Sequence, residues 1–285
     1  MQSDTQPYYQ SPHQFFCGKY QLTLNRPHVM GIVNVTPDSF SDGGKFSSTD
    51  LAVEHALKLI AEGADILDIG GESTRPGAAV VSLDEELDRV IPVIEALSKT
   101  CNVPISIDTY KPEVMRQAIV AGADIVNDVR ALQEPNALEI VAQSNVGVCL
   151  MHMQGTPQTM QLEPHYVDVV SEVKQFLVDR MNAALAHGIV RSRILLDPGF
   201  GFGKTRTHNI ALIQHLDELN VIGLPLLVGL SRKSVLGSIT GADEGQRLYA
   251  SIAASVISAM KGAKILRVHD VKATVDALKV VTAIQ

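Results

Sequence analysis

From His28 onward, short apolar runs alternate with longer segments whose apolar residues recur every three or four positions. The runs at 28–35, 64–71, 103–109, 124–130, 147–153, 194–199, 225–231 and 263–270 read as strands. They are nearly continuous in hydrophobic residues, as expected of parallel strands covered on both faces. The segments between them carry helix signals. After Thr49, the residues Val53, Ala56, Leu57 and Ile60 share one face. Ser82 with Glu85 forms a capping-box pattern ahead of Leu87, Val90, Ile91 and Ile94. Pro92 predicts an interruption and kink in that helix. Lys111-Pro112 opens the next one with proline in the first turn. The longest periodic segment, 165–187, repeats apolar residues at Val170, Val173, Leu177 and Met181.

An internal echo ties these pieces together. Gly63-Ala64-Asp65-Ile66, Gly122-Ala123-Asp124-Ile125 and Gly262-Ala263-Lys264-Ile265 each join a helix end to a strand. Glycine permits a left-handed helix cap, and alanine lets helix and strand approach closely. Strand–helix alternation repeated about eight times is the sequence form of an α/β (β/α)8 TIM barrel. A doubly wound open sheet would carry a glycine fingerprint after its first strand, and the chain has none there. We therefore expect a single barrel domain over 28–285. Residues 1–27 form an N-terminal extension whose first dozen residues read as disordered, while 15–24 suits a small hairpin closing the bottom of the barrel.

Composition narrows the function. The chain has 285 residues, 46% of them hydrophobic, enough for a large core. Its net charge of -7 without a long basic run argues against nucleic acid or an anionic membrane as partner. No apolar run reaches the length of a membrane span, and the polar start does not read as a signal peptide. Three scattered cysteines, Cys17, Cys101 and Cys149, suit a reducing, cytoplasmic setting with thiols acting as small hydrophobes.

The C-terminal ends of the predicted strands carry Asn34, Glu72, Asp108, Asn127, His152, Asp197, Lys233, Arg267 and His269. Apolar packing calls for none of them, and that face is where barrels place their sites. Asp108 follows Ser106 at the period-two spacing that points both inward, although it reads equally well as an N-cap for the helix near Lys111. Asp197-Pro198-Gly199-Phe200-Gly201-Phe202-Gly203-Lys204-Thr205 contains G-x-x-x-G-K-T, one residue short of a nucleotide-binding phosphate loop. Its place after a late strand favours a glycine-rich wall with phenylalanine rings exposed to a planar ligand, or a plain glycine loop. Arg75, Arg267 and His269 are suited to surround an anion, and Asp108 and Asp197 to face the N–H groups of a heterocycle. No zinc motif or nucleophile elbow is present. Mg2+ held by substrate phosphates, water and one or two protein oxygens would leave little trace, and Asn34 and Asp42 are its candidates.

Five segments in order, 30–44, 70–77 (G-G-E-S-T-R-P-G), 197–203 (D-P-G-F-G-F-G), Ser231-Arg232-Lys233 and Arg267-Val268-His269-Asp270, resemble the dihydropteroate synthase family of bacterial folate biosynthesis. The resemblance covers the chain from residue 28 to its end. It implies a homodimeric barrel that condenses (7,8-dihydropterin-6-yl)methyl diphosphate with 4-aminobenzoate, giving 7,8-dihydropteroate and diphosphate. Sulfonamides would be inhibitors. It further implies that Asp108, Asn127, Asp197, Lys233 and Arg267 bind the pterin. Asn34, Thr74, Arg75, Arg267 and His269 would hold the diphosphate, with Mg2+ at Asn34. Phe40, Arg75, Pro76, Phe202, Ser231 and Lys233 would border the aminobenzoate. Asp42, Arg75, Lys233, Arg267 and His269 would carry the catalysis. The chain does not depart from the family pattern at these positions. A pterin-dependent methyltransferase barrel is the near alternative and a non-catalytic pterin-binding barrel the distant one. Arg75 with Arg267 and His269 argues for a diphosphate and against the methyltransferase.

Overall fold

The structure, a computed structural model, describes residues 14–36, 48–73 and 77–284. The expectations for the first dozen residues, and for Phe40, Asp42, Thr74, Arg75 and Pro76, lie outside the described residues.

Strands β1 (Gln14–Cys17) and β2 (Tyr20–Thr23) form an antiparallel hairpin. Eight parallel strands follow: β3 (His28–Asn34), β4 (Ile66–Gly70), β5 (Ile105–Asp108), β6 (Ile125–Asp128), β7 (Gly147–Met151), β8 (Ile194–Asp197), β9 (Leu227–Val228) and β10 (Ile265–Val268). Hydrogen bonding runs in the order β8-β7-β6-β5-β4-β3-β10-β9. A bridge between Leu196 and Leu226 joins the two ends, with the Leu196 N–H donating to the Pro225 carbonyl at 3.0 Å. The result is a (β/α)8 barrel. Its helices are α1 (Ser48–Ala61), α2 (Leu83–Thr100), α3 (Pro112–Ala121), α4 (Ala137–Ala142), α5 (Val169–Ala186), α6 (Arg206–Gln214), α7 (Ser234–Thr240), α8 (Leu248–Met260) and α9 (Val271–Ile284).

The period of two along each strand divides the apolar residues into two cores. Outward residues such as Val33, Leu67, Ile69, Ile107, Val126 and Leu196 pack against the helices. Inward residues Met30, Ile66, Ile125, Cys149, Leu195, Leu227 and Ile265 fill the lower barrel, and Phe15 and Cys17 of the hairpin plug it from below. Gly147 opens β7 directly over that plug. A Cβ there would run into the Phe15 ring, so glycine is required by the close approach. All three thiols are buried and free, and burial pushes Cys17 up to about 12. They are packing residues.

Several local expectations change. Helix α2 runs through Pro92 and ends only at Thr100, with Val90, Val93, Ile94 and Leu97 buried on its inner face. Burial on both sides of the proline outweighs the lost backbone bond. The capping box is half formed. Ser82 Oγ accepts the Glu85 N–H at 3.2 Å, but the Glu85 carboxylate pairs with Arg89 four residues on. Helix α5 starts at Val169, because the Asp168 side chain caps it by accepting the N–H groups of Val170 and Ser171.

Candidate functional site

A cleft of about 1030 Å³ opens at the C-terminal end of the barrel strands. Asn34, Asp108, Phe202, Lys233, Arg267 and His269 are among its lining. A smaller depression of about 650 Å³ lies at the opposite end, where Arg26 is already paired with Asp65. The chemistry-bearing residues therefore converge on the upper cleft.

Its floor is built by strand register. Asp68 on β4 pairs with Ser106 on β5, and Asp108 on β5 with Asn127 on β6. Inward side chains of neighbouring strands thus lie side by side. Across the barrel, Arg267 on β10 donates through Nε to Asp68 Oδ2 at 2.5 Å and through Nη2 to Asp108 Oδ2 at 2.6 Å. Asn127 Nδ2 donates to the same Asp68 oxygen at 3.1 Å. One guanidinium therefore answers two carboxylates. Burial, only partly offset by Arg267, raises Asp108 to about 7, and the charge of Asp68 adds to the rise. Burial alone would lower Arg267, but Asp68 and Asp108 together lift it above its ordinary value. Asp108 does not cap the helix near Lys111: the N-cap of α3 is Lys111, without a side-chain cap bond.

Asp68 was not singled out among the strand ends. The signal lay one layer deeper, as a lone charge at the inward position of Ile66-Leu67-Asp68-Ile69-Gly70. It is fully buried, a placement charged groups take only with partners.

Asp197 ends β8, buried, and spends Oδ1 on the Gly199 N–H at 2.7 Å. Burial raises its pKa, while the positive charge of Lys233 pulls it back. Lys233 donates to the Phe200 carbonyl and stands 4.5 Å from the Phe202 ring centroid. Burial lowers it to about 8. Only one of the two rings meets the expectation of an exposed wall. Both residues border the cleft, but only Phe202 keeps exposed surface there, whereas Phe200 is fully buried in the outer core and its carbonyl accepts from Lys233.

At the rim, Ser231 Oγ accepts the His269 N–H at 3.2 Å and lies 3.1 Å from His269 Nδ1, which fixes the imidazole. Arg232, with φ at 58°, makes a two-point pair with Asp270, joining the Ser231-Arg232-Lys233 and Arg267-Val268-His269-Asp270 segments. A non-glycine residue in the left-handed region carries strain, a common feature of sites. Asn34 lies exposed at the end of β3. Glu72 also lines the cleft and pairs with Lys111, which pairs in turn with buried Glu86. His152 is buried against Phe176 and Tyr166 and does not reach the cleft lining. The structure thus brings together Asn34, Asp108, Phe202, Ser231, Lys233, Arg267 and His269 around one cleft, with Asn127 and Asp197 buried below.

A buried acceptor floor, a cationic rim and an aromatic wall on a (β/α)8 barrel suit a binder of planar heterocycles bearing an anionic tail. Residues 30–269 match the family described as pterin binding enzyme, and the chain belongs to that family. Among its relatives is the dihydropteroate synthase of Escherichia coli (strain K12), 53% identical over 95% of this chain and 96% of its own length. Dihydropteroate synthase of Xanthomonas albilineans with 4-aminobenzoic acid superposes at a TM-score of 0.92, with 55% identity over 97% of this chain and 99% of that one. The same organism's enzyme in complex with 7,8-dihydropteroate gives a TM-score of 0.85 and 50% identity, over 96% and 98%.

Proposed function

We propose that this chain catalyses the dihydropteroate synthase reaction. It condenses (7,8-dihydropterin-6-yl)methyl diphosphate with 4-aminobenzoate to give 7,8-dihydropteroate and diphosphate. The observation that carries this is the floor in which Arg267 alone pairs with the two buried carboxyl groups of Asp68 and Asp108, beneath a rim of cations. Carbon–oxygen cleavage beside an electron-rich dihydropterin leaves a delocalised cation, which a fixed carboxylate stabilises. Asp108, Asn127 and Asp197 take the pterin's N–H edge, with Lys233 and Arg267 at its borders. His269, held by Ser231, and the remaining N–H groups of Arg267 serve the departing diphosphate with Asn34, Thr74 and Arg75. Phe202, Ser231 and Lys233 border the aminobenzoate, with Phe40, Arg75 and Pro76 completing its site. No protein nucleophile is needed, because the arylamine supplies the attacking lone pair. Asp42 and Arg75 act with the loops that follow β3 and β4.

Mg2+ fits this donor set. The Asn34 amide oxygen is a hard donor exposed at the strand end, and Mg2+ is commonly held by few protein oxygens together with substrate phosphates and water. When bound, it would neutralise charge on the diphosphate. Sulfonamides, arylamines with an acidic group opposite the amine, would compete for the aminobenzoate site. We place the enzyme in the cytoplasm as a homodimer. Tyr249, Ala253, Ile257 and Met260 form an exposed apolar stripe along α8, the kind of helix face a second copy covers.

The test is diphosphate release with each substrate alone and with both. Release that grows with 4-aminobenzoate supports the reading. A protein that binds pterin without releasing diphosphate would be a binding barrel only.

A further inference from the structure

Lys204 sits in the stretch that imitates a phosphate loop, yet it is 2% exposed and points into the protein. Its Nζ donates to the Gly199 carbonyl at 2.8 Å and the Phe202 carbonyl at 3.0 Å, and lies 2.8 Å from His152 Nδ1. Among the described residues no carboxylate forms an ion pair with it. Burial, relieved only in part by the charge of Asp197, lowers its pKa well below the usual lysine range. Burial and then the Lys204 charge push His152 down to about 2, so the imidazole is neutral, with Nδ1 within hydrogen-bond reach of Nζ. A buried amine costs free energy unless its hydrogen bonds are made. Here they are made entirely to one turn and to the segment packed against it.

That turn is the one that holds Lys233. The Phe202 N–H closes it on the Gly199 carbonyl at 3.1 Å. The Phe200 carbonyl receives the Lys233 ammonium, and the Phe202 ring lies beside it. Gly199 and Gly203 both have positive φ, and a Cβ on either would collide with the backbone of His152 or Gln154. The turn is therefore pressed against the segment after β7, and Lys204 is the cross-brace between them. A purely apolar side chain would fill the space but take the Nζ donor from the Phe202 carbonyl and from His152 and leave the Gly199 carbonyl only the Phe202 N–H.

We propose that Lys204 is a positioning residue of the aminobenzoate site: by clamping the 199–202 turn to His152 it sets where Phe202 and Lys233 stand. This deepens the function proposed above and rests on it. The variants to compare are Lys204→Met and Lys204→Gln, equal in length and one atom shorter than lysine, the first without donors and the second with two N–H donors. Lys204→Met is expected to raise KM for 4-aminobenzoate at least tenfold. Lys204→Gln should bring it back to within threefold of wild type, even where both variants unfold at the same lowered temperature. Equal KM values in both variants, whether raised or unchanged, would overturn the proposal by making Lys204 a packing residue. Should neither variant fold, the wild-type protein labelled with 15N at lysine decides. The slowly exchanging Nζ resonance of a buried lysine should shift when 4-aminobenzoate joins the pterin-bound protein, and a resonance that stays put refutes the role. Wild-type protein that makes no dihydropteroate sinks the functional reading itself. Wild-type turnover with an unaltered Lys204→Met KM sinks only this inference.

Discussion

Arg267 holds one positive charge against two carboxylates, and much of the site follows from that imbalance. Asp68→Asn removes one of the two. Because Asp108 still pairs with Arg267, the loss should sit near the lower end for a broken buried pair, about 3 kcal/mol of unfolding free energy by urea titration. The titration of Asp108 has a definite sign. Its folded pKa is raised from 3.8 to about 7, so the fold favours the protonated acid. Its contribution to stability is full below about pH 4 and is lost as pH climbs through 7. Wild type should therefore lose stability relative to Asp108→Asn across that window, and a constant difference would contradict the assignment. Lys233 behaves oppositely toward ligands. With its pKa lowered to about 8, it surrenders its charge above that pH, so affinity for anionic 4-aminobenzoate should fall there. Lys233→Arg should bind with a flat pH profile, read by isothermal titration.

At the scale of elements, the hairpin and the strand ends do different work. Phe15 plugs the lower barrel far from the cleft, so Phe15→Ala should cost about 3–5 kcal/mol of stability while leaving KM values near wild type. Chemical denaturation and steady-state kinetics measured together check this, and a KM shift at equal stability would contradict it. The barrel strands were legible because parallel strands covered on both sides read as continuous apolar runs. Their polar ends were legible for the same reason, since Asn34, Asp108, Asp197 and His269 break those runs. Asp68 escaped because it breaks a run in the middle, where a search confined to strand ends does not look. His152 was read at a strand end, yet it lies buried behind the cleft, and Lys204 escaped for a different reason. Lys204 sits in a polar loop, where the sequence pattern cannot tell a buried brace from a solvated side chain. Phe200 and Phe202 are identical in local pattern and separate only when the turn's geometry sends one ring into the core and the other to the cleft.

For the whole molecule, the alternation of elements was enough to dictate a barrel. Closure between β8 and β9 was not legible, because it rests on one bridge at Leu196 and Leu226 beside a two-residue strand. The outer face of α8 makes a claim about assembly. Ile257→Glu places a charge at the centre of its apolar stripe and should convert a dimer to a monomer in sedimentation equilibrium, while a wild-type protein that is already monomeric would remove the claim. The account as a whole stands on the floor and rim acting in one reaction. The direct measurement is the amount of 7,8-dihydropteroate and diphosphate formed from the two substrates by wild type, Asp197→Asn and Arg267→Ala. The account requires the two products in equal amounts from wild type, and a rate lower by roughly a hundredfold or more in each variant. Wild type that yields no dihydropteroate, or variants that match it, would contradict it.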